Sequence, residues 1–508
     1  MTLFNDMSKE LAQEKVITEN GALMEGTSGK ALLDLNFSAS TLNYEEGMVI
    51  FQKFYNALTE TPMEAMKWLF YVRDCRGGMG FRNIFRECMV RLLKKCPMLA
   101  EDLLSLVPEY GYWKDLNVMY GMTKDEAIKK AIVNTYVKQL MTDVKALKDD
   151  KATVSLAGKY TPTDTSKKDC QRGLAKDLMK AMGIDVAEYR KMNRLLRNRI
   201  KVVEKQMSQN KWSEIDYNVV PSKANTLYMH AFERHDEKRY SQHLEDVRTG
   251  KHGAKMNVGQ NFPHEILAKA KNDTYSWKLR YNDSPAVEAM WSEYPRENLG
   301  KIMVVEDRSG SMFTSIGDGH TRALEVADAL TLLFSEQLSG EFNNSFITFS
   351  HIPQLWHLEG ESVIDKLNAL QKYSEVADTN IEAVFDLLLK IAVRNGYTQD
   401  EMPETNLILS DMEFNFAVHR KVDETLFQTI ARKYAEHGYT LPRLIFWNLN
   451  GRTGGIPISQ NEAGVALISG FSPSILKMVL AGSLDPWENL CDVLNSPRYD
   501  AVEAVFKK

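Results

Sequence analysis

The stretch KIMVVEDRSGSMFTS, residues 301–315, decides the fold. An apolar run ends abruptly at Glu306-Asp307, and one carboxylate and two hydroxyls (Asp307, Ser309, Ser311) then crowd a glycine turn. A run this short, closed by turn residues, predicts a buried strand. KIMVV (301–305) leads to a helix at about 321–338. SFITF (345–349) leads, through a short edge strand near LWHL, to helices near 361–371 and 381–393. NLILS (406–410) leads to a helix at about 423–437, and RLIFWNL (443–449) and VALIS (465–469) follow. Strands alternating with helices predict an α/β doubly wound domain, its parallel sheet covered on both faces. In such sheets ligands bind at the carboxyl ends of strands. Asp307 and Asp411 both fall at such ends.

The residues at those ends are oxygen donors. Ser309 and Ser311 offer neutral hydroxyls, and Asp307 a carboxylate that holds an ion directly or through water. Asp411 comes from SDM at 410–412, and Thr379 from ADTNIEAVF at a helix start. Five oxygen side chains from three loops suit a hard divalent cation such as Mg²⁺, which takes about six oxygens and keeps some as water. Two plainer readings stand beside this one. Asp307 caps a turn while the serines satisfy loop backbone, or the site is intact and only structural. Glu306 and Asp318 lie close by as supports or as solvated charges. His351 and His357 read as surface or core histidines, because the site asks for oxygen.

The three pieces, DxSxS at 307–311, Thr379 and Asp411, resemble the metal-ion-dependent adhesion site of von Willebrand factor A domains over residues 298–508. The resemblance implies that Asp307, Ser309, Ser311 and Thr379 ligate one divalent ion. Asp411 acts directly or through water, and one position stays open for a partner's acidic oxygen.

Residues from about 44 to 271 read as helix after helix. MEAMKWLFYVRD places Met63, Met66, Leu69 and Phe70 on one helical face, and FRNIFRECMVRLLKK does the same with Phe81, Ile84, Phe85, Cys88 and Leu92. No exact repeat period is visible, so an irregular helical-repeat stack or ring is predicted. YNDSPAVEAMWSEYPRENLG (281–300) reads as a linker.

Within the helical half, YRKMNRLLRNRIKVVEKQM reads as one helix. It carries Arg190, Arg194, Arg197, Lys201 and Lys205 on one face, with Glu204 the only acid in the stripe. Most charge runs are solvated faces, but an unbroken cationic stripe also suits phosphates. RDCRGGMGFR (73–82) has two readings: a backbone anion nest or a glycine turn opening the next helix, which glycine's role as punctuation favours.

The order of the halves, with VPEYGYWKDL (107–116), KWSEIDYNVVPSKA (211–224) and VGQNFPHEILAKA (258–270), resembles the Ro ribonucleoprotein family. In that family a helical-repeat TROVE domain precedes the A domain. RDxRGGxGxR, PEYGxWxDL and SDMEF (410–414) are still closer to uncharacterised Ro-like proteins of plants, fungi and large viruses. The resemblance implies a TROVE-like domain over 30–285, HEAT-like and ring-forming. Its cavity and basic outer surface take misfolded or small RNAs, and the stripe from Arg190 to Lys205 is the RNA face by neighbourhood. It also implies a non-catalytic ribonucleoprotein scaffold. The alternative is a protein-interaction module whose metal edge grips an acidic residue of a partner, without RNA.

Composition sets bounds on these readings. The 508 residues, 44% hydrophobic, suffice for roughly two to four domains. A net charge of -5 gives no global pull on nucleic acid, so any RNA surface must be local. Cys75, Cys88, Cys96, Cys170 and Cys491 form no CxxC or His/Cys cluster, which argues against structural zinc or a disulfide framework. No run of roughly 18 apolar residues predicts a membrane span. A reducing, cytoplasmic setting and a monomer are expected. An enzyme is not expected. Two-metal hydrolysis needs more carboxylates than this edge supplies, Ser309 has no evident histidine base, and no GxSxG, Walker A or HExxH motif occurs.

Overall fold

The described chain opens with a hairpin of two short strands, β1 (Lys15–Ile17) and β2 (Leu23–Glu25). The structure is a computed structural model. It describes residues 15–18, 23–149, 151–200, 202–272, 279–296, 298–316, 321–349, 353–373, 380–414, 426–452, 454, 456–457, 464–481 and 485–507. Helices then follow one another to residue 292. Pro62–Arg73 begins with proline at its first turn, where the missing N–H costs nothing. This helix is buried nearly all round, Lys67 and Arg73 included, because other elements cover both sides. Asn83–Lys95 is amphipathic as the sequence predicts, burying Ile84, Phe85, Cys88 and Leu92. Phe81 is buried as well, but before the helix starts.

The second half is built on β3 (Ile302–Asp307), all of whose side chains are buried. The two-residue strands β4 (Ser315–Ile316) and β5 (Thr321–Arg322) pair with each other, and the helix Ala323–Ser335 begins only after them. The sheet continues with β6 (Ser345–Phe349), β7 (Gln354–His357), β8 (Thr405–Ser410), β9 (Arg443–Asn448) and β10 (Val465–Ser469). Its order is β10-β9-β8-β3-β6-β7, with every pairing parallel except the edge strand β7. The chain runs outward from β3 through β6 and β7, then returns to β8 on the other side. The crevice of such a sheet therefore opens between the ends of β3 and β8.

The segment read as a linker is not slack. It holds the helix Pro285–Ser292, whose Ala286, Val287, Ala289, Met290 and Trp291 are buried. Glu288 accepts hydrogen bonds from the Val363 and Ile364 amides, both at 3.1 Å, and so caps the helix Val363–Leu370. Its two prolines and lack of period hid a helix that packs on both halves.

The halves share one apolar core. Tyr110 stacks on Tyr499 with ring centroids 5.7 Å apart, Phe81 meets Phe471 edge-on, and the Tyr110 hydroxyl donates to the Arg498 carbonyl at 2.8 Å. Arg498 in turn binds Asp74 and Glu109. The helix Ala31–Phe37 packs on β10, so the helical half touches the sheet domain from its first helix to its last. Among the described residues no helix is long and apolar enough to cross a membrane.

Candidate functional site at the sheet crest

Asp307 closes β3 and is fully buried. One of its carboxylate oxygens accepts from the Ser309 amide at 2.9 Å, the other from the Ser410 hydroxyl at 2.6 Å. The Ser410 oxygen also accepts from the Met412 amide at 2.9 Å. Ser410 thus joins the ends of the two strands that flank the crevice. Ser309 and Ser311 stand at the start of a short 3-10 turn with hydroxyls 2.9 Å apart. Asp411, also fully buried, accepts from the Glu413 amide at 3.3 Å through Oδ1, while its Oδ2 has no hydrogen-bond partner.

The electrostatics follow from burial. Burial pushes the Asp307 carboxyl up, partly offset by its bonds to Ser410 and Ser309. Burial and then the Asp307 charge push the Asp411 carboxyl up to about 7, against the Ser311 hydroxyl, the Glu413 amide and Arg452. Two buried carboxylates are thus held together, with Arg452 at 3.6 Å from Asp411 as a counter-charge. Met412, between Asp411 and Glu413, has φ of 66°, a left-handed backbone that costs a non-glycine residue on the order of 1–2 kcal/mol. Such strain concentrates where surrounding structure fixes a site.

The structure brings Asp307, Ser309, Ser311 and Asp411 to one crest. Thr379, Asp318 and His351 lie outside the described residues. His357 sits on β7 facing the Ser345 hydroxyl, away from this crest. Among the described residues no group of three or more His, Cys, Asp or Glu side chains is placed to hold a metal. A cation here would take two carboxylates, hydroxyls and water. That donor set fits a hard ion, and Asp411 Oδ2, buried without a hydrogen bond, is the oxygen such an ion would satisfy.

Three contributors were missed in sequence. Ser410 sits one residue before Asp411, and its neighbourhood was the only signal. Glu413 accepts from the Arg452 amide at 3.0 Å. Arg452, from the turn after β9, reaches Thr314 at 3.4 Å and lies 3.6 Å from Asp411 Oδ2. Nothing in its local sequence marks it. Glu306 is neither solvated nor at the crest. It points to the other side of β3, where Arg308 bridges Glu306 at 2.7 Å and Asp328 at 2.5 Å, and Gln371 donates to Asp328 at 2.6 Å. Burial pushes Glu306 far up, while burial opposes the Arg308 charge and the two carboxylates more than restore it.

The basic stripe is not one helix. The helix Val186–Arg199 stops, Ile200 caps it, and a separate helix runs Val203–Ser208, so the face does not continue to Lys205. Val202 is extended at the break, and its neighbour Lys201 lies outside the described residues. Arg190 forms a forked pair with Asp164 at 2.5 Å. Arg197 donates to the carbonyls of Gly158 at 3.1 Å and Thr161 at 2.7 Å. Lys205 binds Asn198. Arg194 is exposed. The RDCRGGMGFR loop is a glycine turn rather than a backbone nest. Its Gly78, Met79 and Phe81 amides are taken up by the carbonyls of Asp74, Tyr71 and Val72.

Comparison with known proteins returns matches without functional content. Residues 301–500 match a family model described as a domain of unknown function, DUF7788, and residues 180–297 match another, DUF2828. The uncharacterized protein L728 of Acanthamoeba polyphaga mimivirus is 28% identical over 516 residues, spanning 94% of this chain and 86% of that protein. The chain is therefore similar along nearly its whole length to a viral protein, and residues 180–297 and 301–500 are similar to two separate families.

Proposed function

We propose that the chain is a non-catalytic protein-binding scaffold with the layout of the Ro ribonucleoprotein family. In this reading a TROVE-like helical module is joined to a von Willebrand A-like domain that holds one divalent cation, Mg²⁺. Asp307, Ser309, Ser311 and Asp411 hold the ion, with Thr379 as the further ligand by resemblance. The observation that carries the reading is the pair of buried carboxylates, with Asp411 Oδ2 lacking a hydrogen bond and faced by Arg452 at 3.6 Å. The ion orients and neutralises. Its open position takes an acidic oxygen of a protein partner, and this metal edge carries more of the reading than the basic face does.

Calorimetry and thermal melts with MgCl₂ test it. Mg²⁺ at about a hundredfold over its dissociation constant is expected to stabilise the fold by roughly 2.7 kcal/mol, and Asp307→Ala to abolish this. The pH dependence gives a second readout. An unfolded aspartate titrates near pH 4 (about 3.9), whereas folded Asp411 titrates at about 7. Between these values the native state holds the extra proton, so stability without metal falls as pH rises through that window. Asp411→Asn flattens the slope, and Mg²⁺ cancels it by favouring the charged form. An absence of Mg²⁺ stabilisation at pH 8 would sink the metal reading.

A second reading keeps RNA on the helical half. The exposed Lys191 and Arg194 favour it, being side by side on the helix that the stripe occupies. Lys191→Glu with Arg194→Glu is expected to deplete RNA crosslinked to the protein in its host by about tenfold, and to weaken the salt dependence of binding. RNA recovery equal to that of the parent removes this face from consideration.

A further inference from the structure

Four separated phrases, RDCRGGMGFR, PEYGYW, PSKA and GQNF, meet in space. Together with Leu333, Phe334 and Leu476 of the sheet domain they line a cavity of about 310 Å³ at the seam between the halves. Its cationic walls are Arg73, Arg76, Arg82 and Lys223, and among the described residues no carboxylate lines it. Arg73 is fully buried. Its Nε and Nη2 bind Asp115 at 2.9 and 2.7 Å, and the Tyr112 ring lies 5.2 Å from its guanidinium. Its remaining nitrogen, Nη1, is buried without a hydrogen-bond partner. Such a donor is costly to leave unmet. Lys223 is paired with Glu265 behind the wall and lies over the Phe262 ring. Arg82 is exposed at the mouth and has no ion pair among the described residues. The rest of the lining is largely apolar.

We propose that this seam cavity binds a small phosphate monoester with a flat apolar body. The phosphate lies among Arg73, Arg82 and Lys223, and the body against Phe262, Phe334 and Leu476. Three cations, two from RDCRGGMGFR and one from PSKA, suit the three acceptor oxygens of a phosphate better than the two of a carboxylate. The volume is at the small end for ligand sites, which limits the body to about one ring system. Both halves supply walls, so such a ligand ties them together. The proposal rests neither on the metal crest nor on RNA.

Phenyl phosphate is the probe, titrated calorimetrically into the full chain, with inorganic phosphate and phenol as controls. Saturable one-to-one binding is expected, at least about tenfold tighter than either control. Arg82→Gln should weaken it about tenfold and leave the thermal melt unchanged, because Arg82 is exposed and unpaired. The half-buried Cys75 thiol lines the cavity and gives a local readout. Phenyl phosphate should slow its alkylation by N-ethylmaleimide and leave the exposed Cys170 unaffected. No saturable heat overturns the proposal. So does binding untouched by Arg82→Gln, or binding that leaves Cys75 as reactive as before. Inorganic phosphate binding as tightly as the ester overturns the apolar half of it.

Discussion

Asp115→Ala is expected to lower the unfolding free energy by about 3–5 kcal/mol, the range for breaking a buried ion pair by removing one partner. Asp115 is fully buried and serves two arginines. One oxygen takes Arg73 and the Tyr112 amide, the other takes Arg86 at 2.8 and 2.5 Å. Burial opposes its charge, but Arg73 and Arg86 hold its carboxyl below the usual range. Its contribution is therefore present at neutral pH and is lost only as pH falls through that depressed value. Alanine would strand Arg73, 0% exposed on its side chain, with no counter-charge. Asp115→Asn keeps the shape and loses the charge, so its cost should be intermediate. Urea unfolding followed by circular dichroism measures both. A loss under about 1 kcal/mol for alanine would mean that water reaches Arg73 and that the clamp is not structural.

Arg308→Met is expected to cost a similar amount, about 3–5 kcal/mol, in the sheet domain. It leaves Glu306 and Asp328 buried and facing one guanidinium-sized gap. One carboxyl must then stay protonated, so the loss should grow as pH rises past about 4, where the unfolded carboxyl ionises. Replacing all three charges, as Glu306→Leu, Arg308→Met and Asp328→Leu, should recover most of the stability, since apolar packing commonly equals a buried ion cluster. Equal stability of Arg308→Met and the parent at pH 8 would show that the carboxylates find another partner.

The sheet domain was legible because its strands are short apolar runs that end in turn residues. The carboxyl-end rule then placed Asp307 and Asp411 correctly at one crest. Periodicity located four of its helices to within a few residues but missed the three after β10, Ser474–Ala481, Pro486–Leu494 and Asp500–Phe506, and it missed β4 and β5, whose two-residue ladder has no pattern to read. Residues whose roles depend on distant partners were not legible. Nothing near Arg308 in the sequence marks its role, and only the fold brings Asp328 opposite it. Arg452 reaches the crest from a turn with no motif. The basic stripe misled because helical spacing was extended through Ile200, where the chain stops being helical. Its arginines are in part bound to Asp164 and to the carbonyls of Gly158 and Thr161, partners that no local pattern reveals.

The stacking of Tyr110 on Tyr499 has a consequence for how the chain is made. The Tyr110 hydroxyl and the Arg498 carbonyl it binds are 388 positions apart in sequence. At a synthesis rate of about 5–20 residues per second, on the order of 20–80 s separate their appearance. Through that interval Tyr71, Tyr110 and Asp74 wait with part of their packing absent. The helical half thus leaves the ribosome with an open apolar flank that only the far end of the sheet domain can close. A nascent chain stalled before residue 497 would present that flank to chaperones.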